Sequence, residues 1–213
     1  MSLLTDMKST ATVPRAREYR MVARAESAAR THQRVLEAAF ALYSEYDFDD
    51  VSLDDVAERA GVTVRTVLRR FGTKEALVDA VADFADEAIE NQRNEVLPGD
   101  ATAAVRRVVL DYERYGDAIM RLLSQEGRAA AFRRIANRGR ALHYAWVERT
   151  FEPQLSRRRG ASRSRLLAEL IAITDVYTWK LLRRDLGLSR QVTVAALDEM
   201  VAGITTRKPT RRS

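Results

Sequence analysis

The chain has 213 residues, of which 46% are hydrophobic, and its 36 Lys and Arg residues against 30 Asp and Glu residues give a net charge of +6. With no Cys, disulfides, thiolate metal sites and Cys nucleophiles are excluded, and the glycine spacing contains neither a G-x-G-x-x-G turn nor a P-loop. No apolar run approaches the roughly 18 residues of a membrane span, so we expect a soluble, cytoplasmic, basic protein with no metal or cofactor.

The N-terminal residues 1–28 are predicted to form a flexible basic arm. Residues 1–14 mix polar and small residues without periodicity, and residues 15–30 are rich in Ala and Arg. This arm precedes the first amphipathic helix, where several DNA-binding folds send a segment into the minor groove. A frayed, solvated extension of the helix explains the composition equally well.

Four helices are predicted between Thr31 and Pro98. The first ends near Asp47, and its apolar residues recur at helical spacing. The second begins at a Ser52-x-x-Asp55 capping signal and ends at Gly61. The third occupies residues 64–71, and the fourth runs from about residue 74 to 96. Two short helices joined by a tight turn are typical of a helix-turn-helix motif, here residues 52–71.

The third helix is predicted to have one apolar and one cationic face. At about 100° per residue, the apolar side chains at positions 64, 67, 68 and 71 cluster on one side. The opposite side carries Thr63, Arg65, Thr66, Arg69 and Arg70. Arg and Thr can bind guanine, phosphate or a thymine methyl group in the major groove. A solvated amphipathic helix would explain the charges alone, but the turn and the short partner helix favour DNA binding.

Residues 29–89 resemble the DNA-binding domain of the TetR family of bacterial transcriptional regulators. The matching stretch reads Ser52-Leu-Asp-Asp-Val-Ala-Glu-Arg-Ala-Gly61-Val-Thr-Val-Arg-Thr66-Val-Leu-Arg-Arg-Phe71-Gly-Thr-Lys74-Glu-Ala-Leu77. The resemblance implies a homodimer that binds a palindromic operator in double-stranded DNA. The DNA-binding residues that follow from it and from the helix are Ser52, Thr63, Val64, Arg65, Thr66, Leu68, Arg69, Arg70 and Lys74, the last on a phosphate.

Two positions depart from the family's pattern. The family usually has Tyr where this chain has Leu68, and Tyr or His where it has Arg70. Leu68 cannot donate a hydroxyl to phosphate. We therefore hypothesise that Arg69 and Arg70 replace that contact with charge, which would make the complex more sensitive to salt.

Residues 90–204 are predicted to form an effector-binding and dimerisation domain, followed by a basic tail at 205–213. Its predicted helices cover 100–115, 117–125, 128–151, 162–186 and 193–204. The helix from residue 162 carries two apolar stripes, which suit a helix buried on two sides. We predict a dimer seam at Leu166, Leu170, Ile173, Tyr177, Leu181, Leu197, Met200 and Val201. A monomer in which both stripes serve the internal core is the alternative.

The effector pocket has a weaker sequence signal. Large or polar residues set among apolar helix positions could line a cavity for an amphipathic small molecule. The candidates are Tyr112, Tyr115, Met120, His143, Trp146, Asp175 and Trp179. Five arginines and no acid lie between Gly127 and Val147. They indicate either an anionic ligand or, more simply, a solvated face that raises the field near DNA.

The predicted fold is therefore all-α, with a three-helix DNA-binding domain and a C-terminal helical bundle. The predicted function is that of a one-component transcriptional regulator, most simply a repressor released by a small-molecule effector. A helical ligand-binding or interaction protein with nonspecific nucleic-acid affinity is the alternative. Catalysis is disfavoured because the Asp54–Asp55 pair is explained by helix capping, and adjacent helical residues diverge by about 100°.

Overall fold

The computed structural model describes residues 14–128 and 130–207, with side chains from Tyr19 onward. The predictions made for residues 1–13 and 208–213 lie outside this range. Every regular element in the described range is helical, which confirms the all-α fold class. No described helix combines the length and apolarity needed to cross a bilayer.

Ten α-helices follow one another along the described chain. They are α1 (Pro14–Glu45), α2 (Leu53–Ala60), α3 (Val64–Phe71), α4 (Lys74–Asn94), α5 (Ala101–Ser124), α6 (Ala130–Thr150), α7 (Glu152–Leu155), α8 (Gly160–Ile173), α9 (Val176–Lys180) and α10 (Arg190–Thr206). A short 3-10 turn, Phe48–Asp50, connects α1 to α2, and a π-helical turn, Leu181–Asp185, continues α9.

The first helix starts much earlier than the sequence pattern indicates. It runs without interruption from Pro14 to Glu45, so the described part of the basic arm is a helical extension of α1. Proline suits the first position of a helix, because its fixed φ is helical and its missing N–H needs no partner there. The weak apolar periodicity before Thr31 reflects exposure rather than a lack of helix.

The predicted helix break at Gly116 is wrong. Helix α5 continues through this residue. A glycine stands in the middle of the helix because the Trp179 ring packs directly against it. A Cβ atom built on Gly116 would lie 2.6 Å from Cη2 and 3.0 Å from Cε3 of Trp179. The glycine therefore permits the close approach of α9 to α5.

The single predicted helix at 162–186 is also wrong, because the chain breaks between α8 and α9. Asp175 is the N-cap of α9, where its Oδ1 accepts a hydrogen bond from the Tyr177 N–H at 2.9 Å. Carboxylates at this position satisfy one of the unpaired N–H groups that begin a helix. The break changes which apolar residues of the two stripes face the core.

Two large apolar cores and a smaller cluster hold the helices together. The N-terminal core joins α1, α2, α3 and α4 around fully buried residues such as Val35, Val56 and Leu77. The C-terminal core is built from α5 to α10. In the smaller cluster, Val78 of α4 packs with Phe132 and Ile135 of α6. The predicted boundary at residue 89 falls inside α4, which belongs to both halves.

Candidate nucleic-acid interface and effector cavity

Helix α2 and the turn that follows it are defined by local hydrogen bonds. The Ser52 hydroxyl accepts from the Asp55 N–H at 3.1 Å, and the Asp55 carboxylate accepts from the Ser52 N–H at 2.7 Å, which completes the predicted capping box. The Ser52 hydroxyl also donates to Asp55 Oδ2 at 2.6 Å, and this bond, followed by the one from the Ser52 N–H, lowers the pKa of the Asp55 carboxyl. At the other end Gly61 adopts φ 62°, a left-handed conformation that glycine adopts without strain.

A residue that the sequence reasoning missed secures the turn between α2 and α3. The Arg34 side chain reaches from α1, and its Nη2 donates to the carbonyls of Ala60 and, at 3.1 Å, Gly61. The guanidinium thus binds carbonyls left unpaired at the end of α2. In the sequence, Arg34 looks like any exposed charge beside the buried Val35, so no periodic signal could have identified it.

The buried face of the recognition helix α3 differs from the face that the 100° spacing predicts. Val67 is buried and Val64 half-buried, as predicted, but Leu68 is 44% exposed. Arg70, predicted to point outward, is half-buried, and its Nε is buried without a hydrogen-bond partner among the described residues. The inward prediction for Leu68 is wrong, because Val64, Val67 and Phe71 form the side of α3 that packs in the N-terminal core and Leu68 is not part of that core. Leu68 is instead exposed beside Arg65 and Arg69.

The hydroxyls at the start of α3 are engaged in capping. The Thr63 Oγ1 accepts from the Thr66 N–H at 3.3 Å and lies 3.0 Å from the Thr66 Oγ1. Arg65 and Arg69 are exposed. Helix α3 thus has a capped start and two exposed guanidiniums.

Lys74, predicted to bind a phosphate, contacts the turn after α1. Its Nζ donates to the Phe48 carbonyl and lies 4.0 Å from the centroid of the Phe48 ring, a cation–π contact. An ammonium has three donors, so this contact leaves capacity for a second acceptor. Lys74 therefore ties the start of α4 to Phe48.

A cavity of about 370 Å³ lies between α1, α4, α5, α6 and the start of α9. Five of the seven predicted pocket residues line it, namely Tyr112, Tyr115, His143, Trp146 and Asp175. Met120 packs with the C-terminal core and Trp179 is fully buried, its Nε1 donating to Glu113 at 3.0 Å. Neither is among the lining residues. The sequence reasoning missed the contribution of the N-terminal half, which supplies Phe40, Tyr43, Phe48, Val78 and Arg93.

Arg93 is the buried charge of this cavity. Its Nε donates to Asp111 Oδ2 at 2.7 Å, and its guanidinium lies 4.7 Å from the centroid of Trp146. Arg107 contacts the other oxygen of Asp111 at 2.9 Å. Burial raises the pKa of Asp111, while the two guanidiniums oppose that shift. A charged side chain is almost never fully buried without a partner, and Asp111 is the partner here.

His143 completes the network in its neutral form. Burial, followed by the charge of Arg93, lowers the pKa of His143 to about 3. Because Arg93 Nη1, which can only donate, lies 3.3 Å from Nδ1, the ring proton is assigned to Nε2, 3.3 Å from the Thr174 hydroxyl. Within the buried group the charges of Arg93 and Asp111 compensate each other beside the neutral His143, and the half-buried Arg107 adds a positive charge at its edge.

Four of the five arginines between Gly127 and Val147 pair with acids outside α6. Arg134 contacts Asp79 at 2.7 Å and Arg138 contacts Asp86 at 2.8 Å, so both reach α4. Arg140 pairs with Glu126, and Arg128 lies 3.5 Å from Asp47. The contacts of Arg128, Arg134 and Arg138 link the two halves of the chain. Neither of the two interpretations of the arginine-rich segment included this role.

The predicted dimer seam is partly buried in the chain's own core. Four of the predicted residues are fully or nearly fully buried, so their assignment to a seam between copies is wrong. They are Leu166, Leu170, Leu197 and Val201. They lie on the sides of α8 and α10 that meet each other and α5. Ile173 is half-buried, whereas Tyr177, Leu181 and Met200 are exposed. Periodicity identifies an apolar face but not which neighbour covers it.

The N-terminal domain has the architecture of a helix-turn-helix DNA-binding domain: two short capped helices, a left-handed glycine between them and exposed arginines on the second. Residues 35–81 match the model of the tetR family of bacterial regulatory proteins. This segment is therefore similar to the proteins of that family.

Known proteins are similar to this chain over part of its sequence and in overall fold. The chain is 32% identical over 84 residues to the HTH-type transcriptional regulatory protein RaaS of Mycobacterium tuberculosis, a match that spans 39% of each protein. The fold is similar to that of a transcriptional regulator from Rhodococcus sp. Rha1, with a TM-score of 0.64 at 17% identity, covering 81% of this chain and 94% of that one. A tetR-family transcriptional regulator from Streptomyces coelicolor gives 0.63 at 18% identity, covering 82% and 78%.

Proposed function

We propose that the protein is a one-component transcriptional regulator of the cytoplasm, a repressor that binds a palindromic operator as a homodimer and is released by a small molecule. The observation that carries this proposal is α3, a capped eight-residue helix with Arg65 and Arg69 exposed, within a segment that matches the tetR family. A helix of this size fits the major groove, where Arg can read guanine.

Selection of bound duplexes from a random DNA pool tests the DNA half of this proposal. We expect enrichment of a palindrome whose half-sites are separated by about one helical turn or a multiple of it. The double variant Arg65→Ala, Arg69→Ala should lose the enrichment. Arg133→Ala, which removes an exposed arginine from α6, should keep it. Recovery of unbiased sequences would favour the alternative, an interaction protein with nonspecific affinity.

The proposed dimer seam is revised to the exposed apolar residues of α9, the π turn and α10. Tyr177, Leu181, Val192 and Met200 are all about half exposed, although each is large and apolar or aromatic. Closed two-fold dimers are the commonest oligomers and use one patch on both copies. We therefore assign dimerisation to this surface and the C-terminal domain.

The proposed effector site is the cavity around Arg93. Its walls are largely aromatic and aliphatic, and the buried Arg93, which is paired with Asp111, contributes a guanidinium to the lining. A ligand that complements both properties is amphipathic, with an apolar body against the aromatic rings and an anionic group near Arg93. Tyr112, Tyr115, His143 and Trp146 contribute the remaining contacts.

Phe48 supplies a physical route from this cavity to the DNA-reading surface. Its ring lines the cavity and stacks edge-on against Phe132 of α6, with centroids 5.2 Å apart. Its carbonyl and ring hold Lys74, the first residue of α4, directly after the recognition helix. A ligand that prefers a different position of Phe48 would shift α4, and only such unequal binding to two states makes the effect allosteric.

Trp fluorescence can test the effector site, because the chain has two Trp residues and only Trp146 lines the cavity. In a Trp179→Phe background we expect 1-naphthoate to quench Trp146 at lower concentration than the neutral 1-naphthamide. Phe48→Ala should bind 1-naphthoate but transmit less of its effect to DNA. Equal binding of the two probes would contradict an anionic ligand.

A further inference from the structure

The described basic extension of α1 is the feature that the proposed function leaves unexplained. Residues 19–27 are exposed throughout, and the side chains include Arg20 and Arg24. A helical segment that no other described residue covers gains no stability from burial within the described part of the chain. Its orientation and charge therefore indicate what it contacts.

The arginines continue the buried face of α1. Arg20, Arg24, Ala28, Thr31 and Val35 are separated by four, four, three and four residues, which places them on one side of a helix. Val35 is fully buried, and Ala28 and Thr31 are half-buried. The stripe that packs on the DNA-binding domain thus becomes cationic where α1 projects beyond it.

This projection begins beside the recognition helix. The His32 ring stacks on Phe71, the last residue of α3, with centroids 5.0 Å apart. Arg34 binds the turn between α2 and α3. At a rise of about 1.5 Å per residue, Arg24 and Arg20 lie about 12 and 18 Å along α1 from His32. Both arginines therefore lie beyond the part of α1 that contacts α3 and the turn before it.

The helical form decides which part of the duplex they can reach. An α-helix with its side chains is about 10–12 Å wide, whereas the minor groove is about 6 Å wide. Because residues 19–30 are helical, the extension cannot enter that groove as an extended arm can. The phosphate backbone that flanks the major groove remains available to it, and phosphate contacts add affinity without sequence information.

We propose that Arg20 and Arg24 form a phosphate-binding stripe that clamps the DNA backbone next to each half-site. This inference rests on the proposed DNA binding but makes a separate claim about the extension. The stripe lengthens the bound site and increases its dependence on salt. It leaves the choice of operator to α3.

The test compares the double variant Arg20→Gln, Arg24→Gln with Arg30→Gln, a matched control. Arg30 is an exposed arginine of the same helix, about 100° away from the stripe and 3.8 Å from Glu26. Affinity for a duplex that extends beyond both half-sites is measured between about 50 and 200 mM salt. We expect the slope of log affinity against log salt to fall by about 2 per protein copy in the double variant and by much less in the control.

That change in slope means about a tenfold smaller loss of affinity per copy across this salt range. Trimming the duplex to the half-sites should weaken the wild type and leave the double variant unaffected. Equal slopes, an equal effect of Arg30→Gln, or a change in oligomeric state instead of salt dependence would each overturn the proposal. If the wild type selects no palindrome, the regulator proposal fails, and the slopes on a random-sequence duplex still test the stripe.

Discussion

The exposure of individual side chains on the recognition helix α3 differs from their polarity at two positions. Leu68 is apolar and yet exposed beside Arg65 and Arg69, while Arg70 is charged and half-buried. The hypothesis that Arg69 and Arg70 replace a family tyrosine by charge remains a proposal. The geometry gives Arg69 the more accessible guanidinium of the two.

Substituting Leu68→Tyr should strengthen DNA binding. A hydroxyl at this exposed position can donate to a phosphate, and a hydrogen bond adds about 0.5–1.5 kcal/mol net, or about two- to tenfold in affinity. The salt slope should stay unchanged because no charge is added. Affinity titrations of Leu68→Tyr against Leu68→Phe separate the hydroxyl from the ring, and identical affinities would contradict the expectation.

His143 makes the free energy of unfolding depend on pH. Its pKa is about 3 in the folded protein and about 6.5 when unfolded, so between these values only the unfolded chain takes up the proton. The free energy of unfolding should therefore fall as pH decreases from about 6.5, by up to about 1.4 kcal/mol per pH unit from this group.

Urea unfolding of the wild type and of His143→Gln at neutral and mildly acidic pH measures this contribution. The wild type should lose more stability on acidification than the variant. The raised pKa values of Asp111 and Asp86 act in the opposite direction, but they are present in both proteins and cancel to first order in the difference. Parallel losses would show that His143 is protonated in the folded state.

At the scale of elements, the two halves are joined by contacts that no single helix predicts. Helix α4 runs through the predicted domain boundary and carries acids to the arginines of α6. Helices α5 and α9 meet where Gly116 admits the Trp179 ring. Trp179 is fixed there, because its Nε1 donates to Glu113, which is itself paired with Arg183 at 2.7 Å.

Replacing Gly116→Ala should destabilise the protein even though alanine is the better helix former. The added methyl overlaps a ring that cannot move aside, and overpacking costs about 1–3 kcal/mol. Gly139→Ala in α6 is the matched control, since a Cβ there meets nothing within 4 Å. It should gain up to about 1 kcal/mol from helix propensity. Urea midpoints followed by circular dichroism compare the two, and equal gains would refute tight packing at Gly116.

At the scale of the whole molecule, the apolar surface that remains exposed determines the expected assembly. Tyr177, Leu181, Val192 and Met200 are the exposed apolar residues assigned to the proposed seam, whereas buried residues of the same helices belong to the internal core. We therefore expect dimerisation and folding to depend on different residues of α8 to α10. A substitution in the exposed set should then separate the copies without unfolding them.

Met200→Glu is expected to convert the dimer to monomers with little loss of stability. A carboxylate at the centre of an apolar seam meets its symmetry-related copy and must be desolvated. Sedimentation velocity measures the oligomeric state. Val22→Glu places the same charge on an exposed apolar residue of α1 and should remain dimeric. A monomeric wild type, or a dimer that survives Met200→Glu, would remove this surface from the seam.

The sequence by itself determined the features that depend on nearest neighbours along the chain. The capping box at Ser52, the glycine turn at Gly61, the short α3 and the all-α class all follow from local hydrogen bonds and helical spacing. The resemblance to the TetR family rests on the same stretch, and the family model covers residues 35–81.

Only the tertiary structure decided which face of each helix is covered. It placed Arg93 against Asp111 and His143, Arg34 on the α2–α3 turn and Leu166 in the internal core rather than at a seam. The residues joined by these hydrogen bonds are 18 to 50 positions apart in the chain. Apolar periodicity is the same whether a helix packs on its own domain or on another copy, so the sequence pattern alone does not distinguish core, cavity and interface.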